Sequence, residues 1–137
     1  MHKALLVTIF APLAILAIAA NQRSSSSISF TPSQVSAGAK AFSQSCAQCH
    51  GARLEGGVGP ALTGPNFETL SKKVGASVGD IFTYMATNMP FNAPGSLSHD
   101  QYVEIMAYIL SKNGYHPGKT PLSFSQAQSS KAQIIRQ

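Results

Sequence analysis

Two thiols and an imidazole stand together in the segment SQSCAQCHGARLEGGVGP. Cys46 and Cys49 are the two cysteines of the chain, and His50 follows directly. Four chemistries use such a cluster. A disulfide across C-x-x-C closes a short loop and constrains the unfolded chain little. A thioredoxin-like redox pair belongs in a βαβ setting, whereas the flanking sequence has helical patterning. Zinc requires four ligands; His99 and His116 are available, but neither has paired-ligand spacing. The fourth chemistry is covalent haem attachment, of which C-x-x-C-H is the signature. It uses every member of the cluster. At a helix end Cys46 and Cys49 lie about one turn apart on one side, so each thiol can add to one vinyl group of a single haem. His50 then falls beneath the iron and can coordinate it. Thioether bonds leave no reversible thiol chemistry, so a third cysteine is not needed.

A coordinated imidazole needs a partner for its second nitrogen. The carbonyl of Pro60, in GVGPAL, is the expected one, because the fixed φ of proline presents it from a rigid loop. Three methionines and two histidines compete for the opposite side of the iron. Met106 lies on an apolar helical stripe, and Met85 lies inside a helix four residues before Met89; both read as packing residues. His99 falls in the first turn of a helix as a surface residue, and His116 falls in a polar tail. Met89 precedes Pro90, and the residue before a proline is driven out of helical conformation. The loop MPFNAPGSLS can therefore fold across the far face. Met89 is the expected sixth ligand, with an open or histidine-ligated iron as the alternative.

The elements that must hold these residues are helices. Thr31, Pro32 and Gln34 form a helix start with capping-box spacing, and the helix should run toward Cys46 with Val35, Ala39, Phe42 and Cys46 on one face. A second helix is expected over SVGDIFTYMATNM, with Ser77 and Asp80 in the same spacing. A third covers SHDQYVEIMAYILSKNG, capped by Ser98 and Gln101, with Tyr102, Ile105, Met106 and Ile109 as its buried stripe. The intervening Gly- and Pro-rich stretch reads as a loop, with a short helical turn over 67–70. The fold class is thus all-α: three main helices around a haem. A loop that long in so small a core must pack against something, and a large apolar cofactor would supply it.

Composition sets the outer limits. The chain has 137 residues, enough for one small domain. Residues 1–20 read as a secretory signal peptide: Lys3, then an apolar run, then Ala17, Ala19 and Ala20, with retention as an anchor the alternative. Residues 21–30 read as a Ser-rich flexible leader, 31–115 as the folded domain, and 116–137 as a loosely ordered tail rich in Ser, Gln and Pro. The formal charge of +5 is spread thinly, without the Lys/Arg runs of a nucleic-acid binder.

These motifs together resemble a bacterial class I cytochrome c over nearly all of the exported domain. GAKAFSQSCAQCHG matches that family's first helix, GPAL its histidine-orienting loop, and MPFNAPGSLS its methionine loop. The resemblance implies that Gly38 and Phe42 pack the first helix across the last, against Tyr108. CAQCHGARLEGGVGPALTGPNF with SVGDIFTYMATNMPFNAPGSLS is most similar to cytochromes serving, or fused to, PQQ-dependent alcohol dehydrogenases. The chain departs from many relatives in lacking Trp, which leaves the groups that hold the haem propionates open.

The resemblance implies a mono-haem c cytochrome with Cys46, Cys49, His50 and Met89 as its site. Its role would be periplasmic single-electron transfer in a respiratory chain, between a quinoprotein dehydrogenase and a terminal oxidase. On this reading the protein is not itself an enzyme. The alternatives are a haem subunit fixed in a dehydrogenase or oxidase complex, and an open-iron haem sensor or peroxidase. Val58, Ala61 and Phe91 are expected at the rim of the haem edge. Arg53, Lys72 and Lys73 are expected to border it and to assist encounter with an acidic partner, so that exchange slows as salt rises.

Overall fold

The computed structural model describes residues 28–134, and the signal-peptide reading of 1–20 lies outside them. Over the described residues the fold is all-α. It comprises α1 (Pro32–Ser45), α2 (Ala47–His50), α3 (Gly64–Val74), α4 (Val78–Asn88), α5 (His99–Lys112) and α6 (Phe124–Ser129). No described helix is long and apolar enough to cross a membrane.

Four helices begin in the same way. The Thr31, Ser77, Ser98 and Ser123 side chains each accept from the backbone N–H three residues on, and the side chains of Gln34, Asp80, Gln101 and Gln126 reach back to the cap N–H. Each box satisfies two otherwise orphaned donors. A helix start fixed in this way also fixes the angle at which the preceding loop enters.

α5 is the central rod. Tyr102, Ile105, Met106 and Ile109 are all buried, as their spacing predicts, and so are Val103, Ala107 and Leu110. α1 crosses it at Gly38, where an added Cβ would stand 1.8 Å from the Glu104 carbonyl oxygen. One turn further on, the Phe42 and Tyr108 rings meet with centroids 5.5 Å apart. The buried face of α1 is therefore Gly38, Ala41 and Phe42, and Ala39 lies off it. A count of apolar side chains passes over glycine, although a missing side chain is what lets two helix backbones meet.

The sequence undersized α3. In place of a turn over 67–70 there is a helix of 11 residues. Gly75 ends it in the left-handed conformation at φ 66°, and Lys72 pairs with Glu68 at 2.7 Å one turn back. Phe67 and Ser71 form its buried side.

Both flanks of the domain also differ from expectation. Phe30, assigned from sequence to a flexible leader, is fully buried. Its carbonyl accepts from Gly118 N–H at 2.7 Å. The tail read as loosely ordered packs instead through Ile134, which is 1% exposed. Gln34 of α1 donates to the Leu122 carbonyl and accepts from the Leu122 N–H, so one side chain serves both a helix cap and the tail. Phe124 stacks edge-on against Phe82 with centroids 4.9 Å apart. Val78 and Gly79 N–H groups, free at the start of α4, donate to the carbonyls of Ala132 and Ser130 at 2.7 and 3.0 Å. The tail is polar on average because it buries a few apolar residues (Leu122, Ala127, Ile134) and is held mainly by backbone hydrogen bonds. Composition registers its exposed residues and not these anchors.

Candidate functional site

α2 is one turn long, with Cys46 capping its start and Cys49 within it. Cys46 N–H donates to Phe42 O at 2.9 Å, ending α1, and the Cys49 and His50 N–H groups both donate back to Cys46 O. The two cysteines are free thiols, half-buried at one end of the molecule. Burial, and then Cys49 beside it, pushes the Cys46 thiol up to about 11. The thiol is therefore held protonated, unlike the thiolate of a catalytic or metal-binding cysteine.

The loop after α2 folds back over it. The carbonyls at the end of a helix need outside donors. Here Gly59 N–H donates to Cys49 O at 2.9 Å and Gly56 N–H to His50 O at 2.8 Å. Leu54, fully buried, takes a positive φ of 64° within this loop, and its carbonyl accepts from Leu62 N–H at 2.8 Å. The far end of the loop is tied to α5: Asn113 Nδ2 donates to Leu62 O at 2.9 Å, and Thr63 Oγ1 to Lys112 O at 2.9 Å.

The fastened loop sets the imidazole. His50 Nδ1 lies 2.8 Å from the Pro60 carbonyl oxygen. Proline's carbonyl can only accept, so Nδ1 donates, and in the neutral ring this tautomer leaves the lone pair on Nε2. Gly59 lies against the ring face; a Cβ there would come within 2.8 Å of Cε1. The ring is thus fixed in tautomer and in position, as the sequence predicts from Pro60.

A cavity of about 790 Å³ opens between this unit and the loop after α4. Cys46, Cys49, His50, Val58 and Pro60 line one side, and Met89, Pro90, Phe91 and Leu97 the other. Met89 caps α4 in extended conformation, φ −118° and ψ 153°, as Pro90 requires. Met85 and Met106 are 8% and 0% exposed in the core and do not line the cavity. His99 stacks on Phe124 with centroids 3.9 Å apart, and neither it nor His116 lines the cavity. Among the described residues no group of three or more His, Cys, Asp or Glu could hold a metal ion, so the zinc reading lacks a donor set.

The rim differs in part from expectation. Val58 and Phe91 stand at it, 94% and 85% exposed, but Ala61 does not line the cavity. Arg53, Lys72 and Lys73 do not line it either. Lys72 and Lys73 sit in the last turn of α3 rather than in a loop, and Arg53 is 4.0 Å from Glu55. Besides His50, the polar side chains of the lining are Gln44, Ser45, Gln48, Asn92 and Ser96, with no Lys, Arg, Asp or Glu among them.

A helical fold wrapped round a C-x-x-C-H turn and an apolar cavity defines a class I c-type cytochrome. Residues 33–109 match the family described as cytochrome C oxidase, cbb3-type, subunit III, and the chain belongs to it. It is also similar in structure to a chain of the sulfane dehydrogenase SoxCD from Paracoccus pantotrophus, with 26% identity and a TM-score of 0.52. That match covers 69% of this chain and 50% of the other, so the chain spans about half the length of that relative. No curated protein matches the sequence. The cofactor is haem c, covalently bound, with iron. The residues present fit it: two free thiols about one turn apart, an imidazole held through Nδ1 by the Pro60 carbonyl, and an apolar cavity large enough for a big flat ligand.

Proposed function

We propose that this cytochrome is an exported one-electron carrier. Cys46 and Cys49 would hold the haem through thioethers, and His50 and Met89 would hold its iron. The observation that carries the reading is the cavity, which brings these four side chains together and leaves Met85 and Met106 in the core. When bound, the haem supplies a one-electron couple, whose potential a methionine ligand in an apolar site raises. The chain contributes fixed geometry. Pro60 O holds the His50 ring, and Gly59 leaves room for it. Pro90 and Leu97 give the Met89 side of the cavity an apolar lining. With His50 and Met89 both holding the iron, peroxide or gas would have no free position on it.

Val58 and Phe91 form a small exposed apolar edge from which a redox partner can take or give an electron. A short-lived, largely apolar contact suits a carrier that must release its partner. The carrier in this reading is periplasmic, its donor a quinoprotein dehydrogenase and its acceptor a terminal oxidase. A second reading makes the chain a haem subunit fixed in an oxidoreductase complex. The family's description as an oxidase subunit and the likeness to a dehydrogenase chain of twice the span favour it.

Stopped-flow reduction and reoxidation against both partner classes tests the carrier reading. Because the cavity lining lacks Lys, Arg, Asp and Glu, exchange should change by less than about threefold between low and high salt. Arg53, Lys72 and Lys73 bordering the edge would instead make exchange slow as salt rises. Rapid peroxide turnover without exchange with either class would sink the reading. A rate that falls more than about tenfold with salt would return the contact to charged residues.

A further inference from the structure

We propose that Tyr102 is a positioning residue, whose hydroxyl fixes the loop that carries Met89 across the cavity. The proposal rests on the reading of Met89 as the distal ligand. Tyr102 lies near the start of α5 and is 2% exposed. Its hydroxyl donates to the Met89 carbonyl at 2.6 Å and accepts from Leu97 N–H at 3.5 Å. Met89 and Leu97 both line the cavity, and they are the two ends of the loop that closes it. One buried oxygen on the central helix therefore holds both ends.

The loop has little else to hold it. Residues 91–96 are all exposed, so packing contributes little to their position. Met89 N–H ends α4 by donating to Met85 O at 3.0 Å, and the bonds beyond it run within the loop: Ala93 N–H to Pro90 O at 2.9 Å, Ser96 N–H to Ala93 O at 3.3 Å, and Gly95 N–H to the same Met89 carbonyl at 3.3 Å. The bonds within the loop shape it without attaching it to the core. Besides the partial packing of Met89 and Leu97 on the core, the Tyr102 hydroxyl makes that attachment. Removing it leaves Met89 with a longer, weaker partner on its carbonyl, and frees the loop to lift.

Tyr102→Phe deletes the hydroxyl and keeps the ring's packing. The readout is the affinity of the oxidised holoprotein for added imidazole, which competes with Met89, followed by loss of the sulfur-to-iron charge-transfer band. Tyr115→Phe is the control, since its hydroxyl donates to the Gln133 carbonyl in the tail. A merely structural tyrosine would behave alike at both positions. Tyr102→Phe should keep the band without competitor and bind imidazole about tenfold more tightly than the wild type, with Tyr115→Phe unchanged. Binding by Tyr102→Phe within about twofold of wild type, or an equal rise in Tyr115→Phe, overturns the proposal. If the wild type itself lacks the band and binds imidazole as tightly as Met89→Ala, the ligand assignment is what fails, and the positioning role falls with it.

Discussion

Met89→Ala should abolish the sulfur-to-iron charge-transfer band of the oxidised protein and open the reduced iron to carbon monoxide. Its reduction potential should fall, since a thioether ligand favours the ferrous state. Two other methionines make the comparison sharp. Met85 and Met106 are buried in the core, away from the cavity. Replacing either by alanine removes a packed side chain and should cost about 2–5 kcal/mol of stability. The band should survive in both. Loss of sulfur ligation and loss of core packing thus separate on different residues, and absorbance spectra beside chemical denaturation read both. A band lost in Met85→Ala and kept in Met89→Ala would reverse the assignment.

The second large effect lies far from the iron. Gly38→Ala adds a Cβ 1.8 Å from the Glu104 carbonyl oxygen, a separation that backbone atoms cannot tolerate. No rotamer relieves it, because a Cβ has none. α1 and α5 must move apart, and the contact of Phe42 with Tyr108 goes with them. Overpacking in cores costs about 1–3 kcal/mol when side chains can yield, and more when backbone must move. A loss of at least about 3 kcal/mol is expected in denaturant titration, with poor recovery of holoprotein. A variant as stable as wild type would mean that the helices do not cross at Gly38.

The parts legible in sequence share one property: their signals are local and chemical. C-x-x-C-H names its cofactor within five residues. Pro60 and Pro90 announce backbone constraints that the structure displays, one in the carbonyl facing His50 and the other in the extended Met89. Three capping boxes placed three helix starts at Thr31, Ser77 and Ser98. The same signature stands at Ser123 and Gln126, where a polar composition outweighed it, and α6 was missed. Phe30 was lost in the same way, as one aromatic at the end of a Ser-rich run.

Other features needed the third dimension. Tyr102 read as a core residue, and it is one; that its hydroxyl also reaches Met89, 13 residues back, follows from how α4 and α5 meet. Asn113 read as part of a helix end, although it anchors Leu62 and thereby the histidine loop, 51 residues away. The rim was misjudged for the same reason. Sequence places Arg53 near the attachment site along the chain, but the loop carries it off the cavity lining.

The central claim is that the iron is closed on both sides and moves single electrons. Protein-film voltammetry of the wild type under nitrogen, under carbon monoxide and with peroxide tests it most directly. The account predicts one reversible one-electron wave that is the same in all three. A wave that shifts under carbon monoxide, or a catalytic current with peroxide, would contradict it.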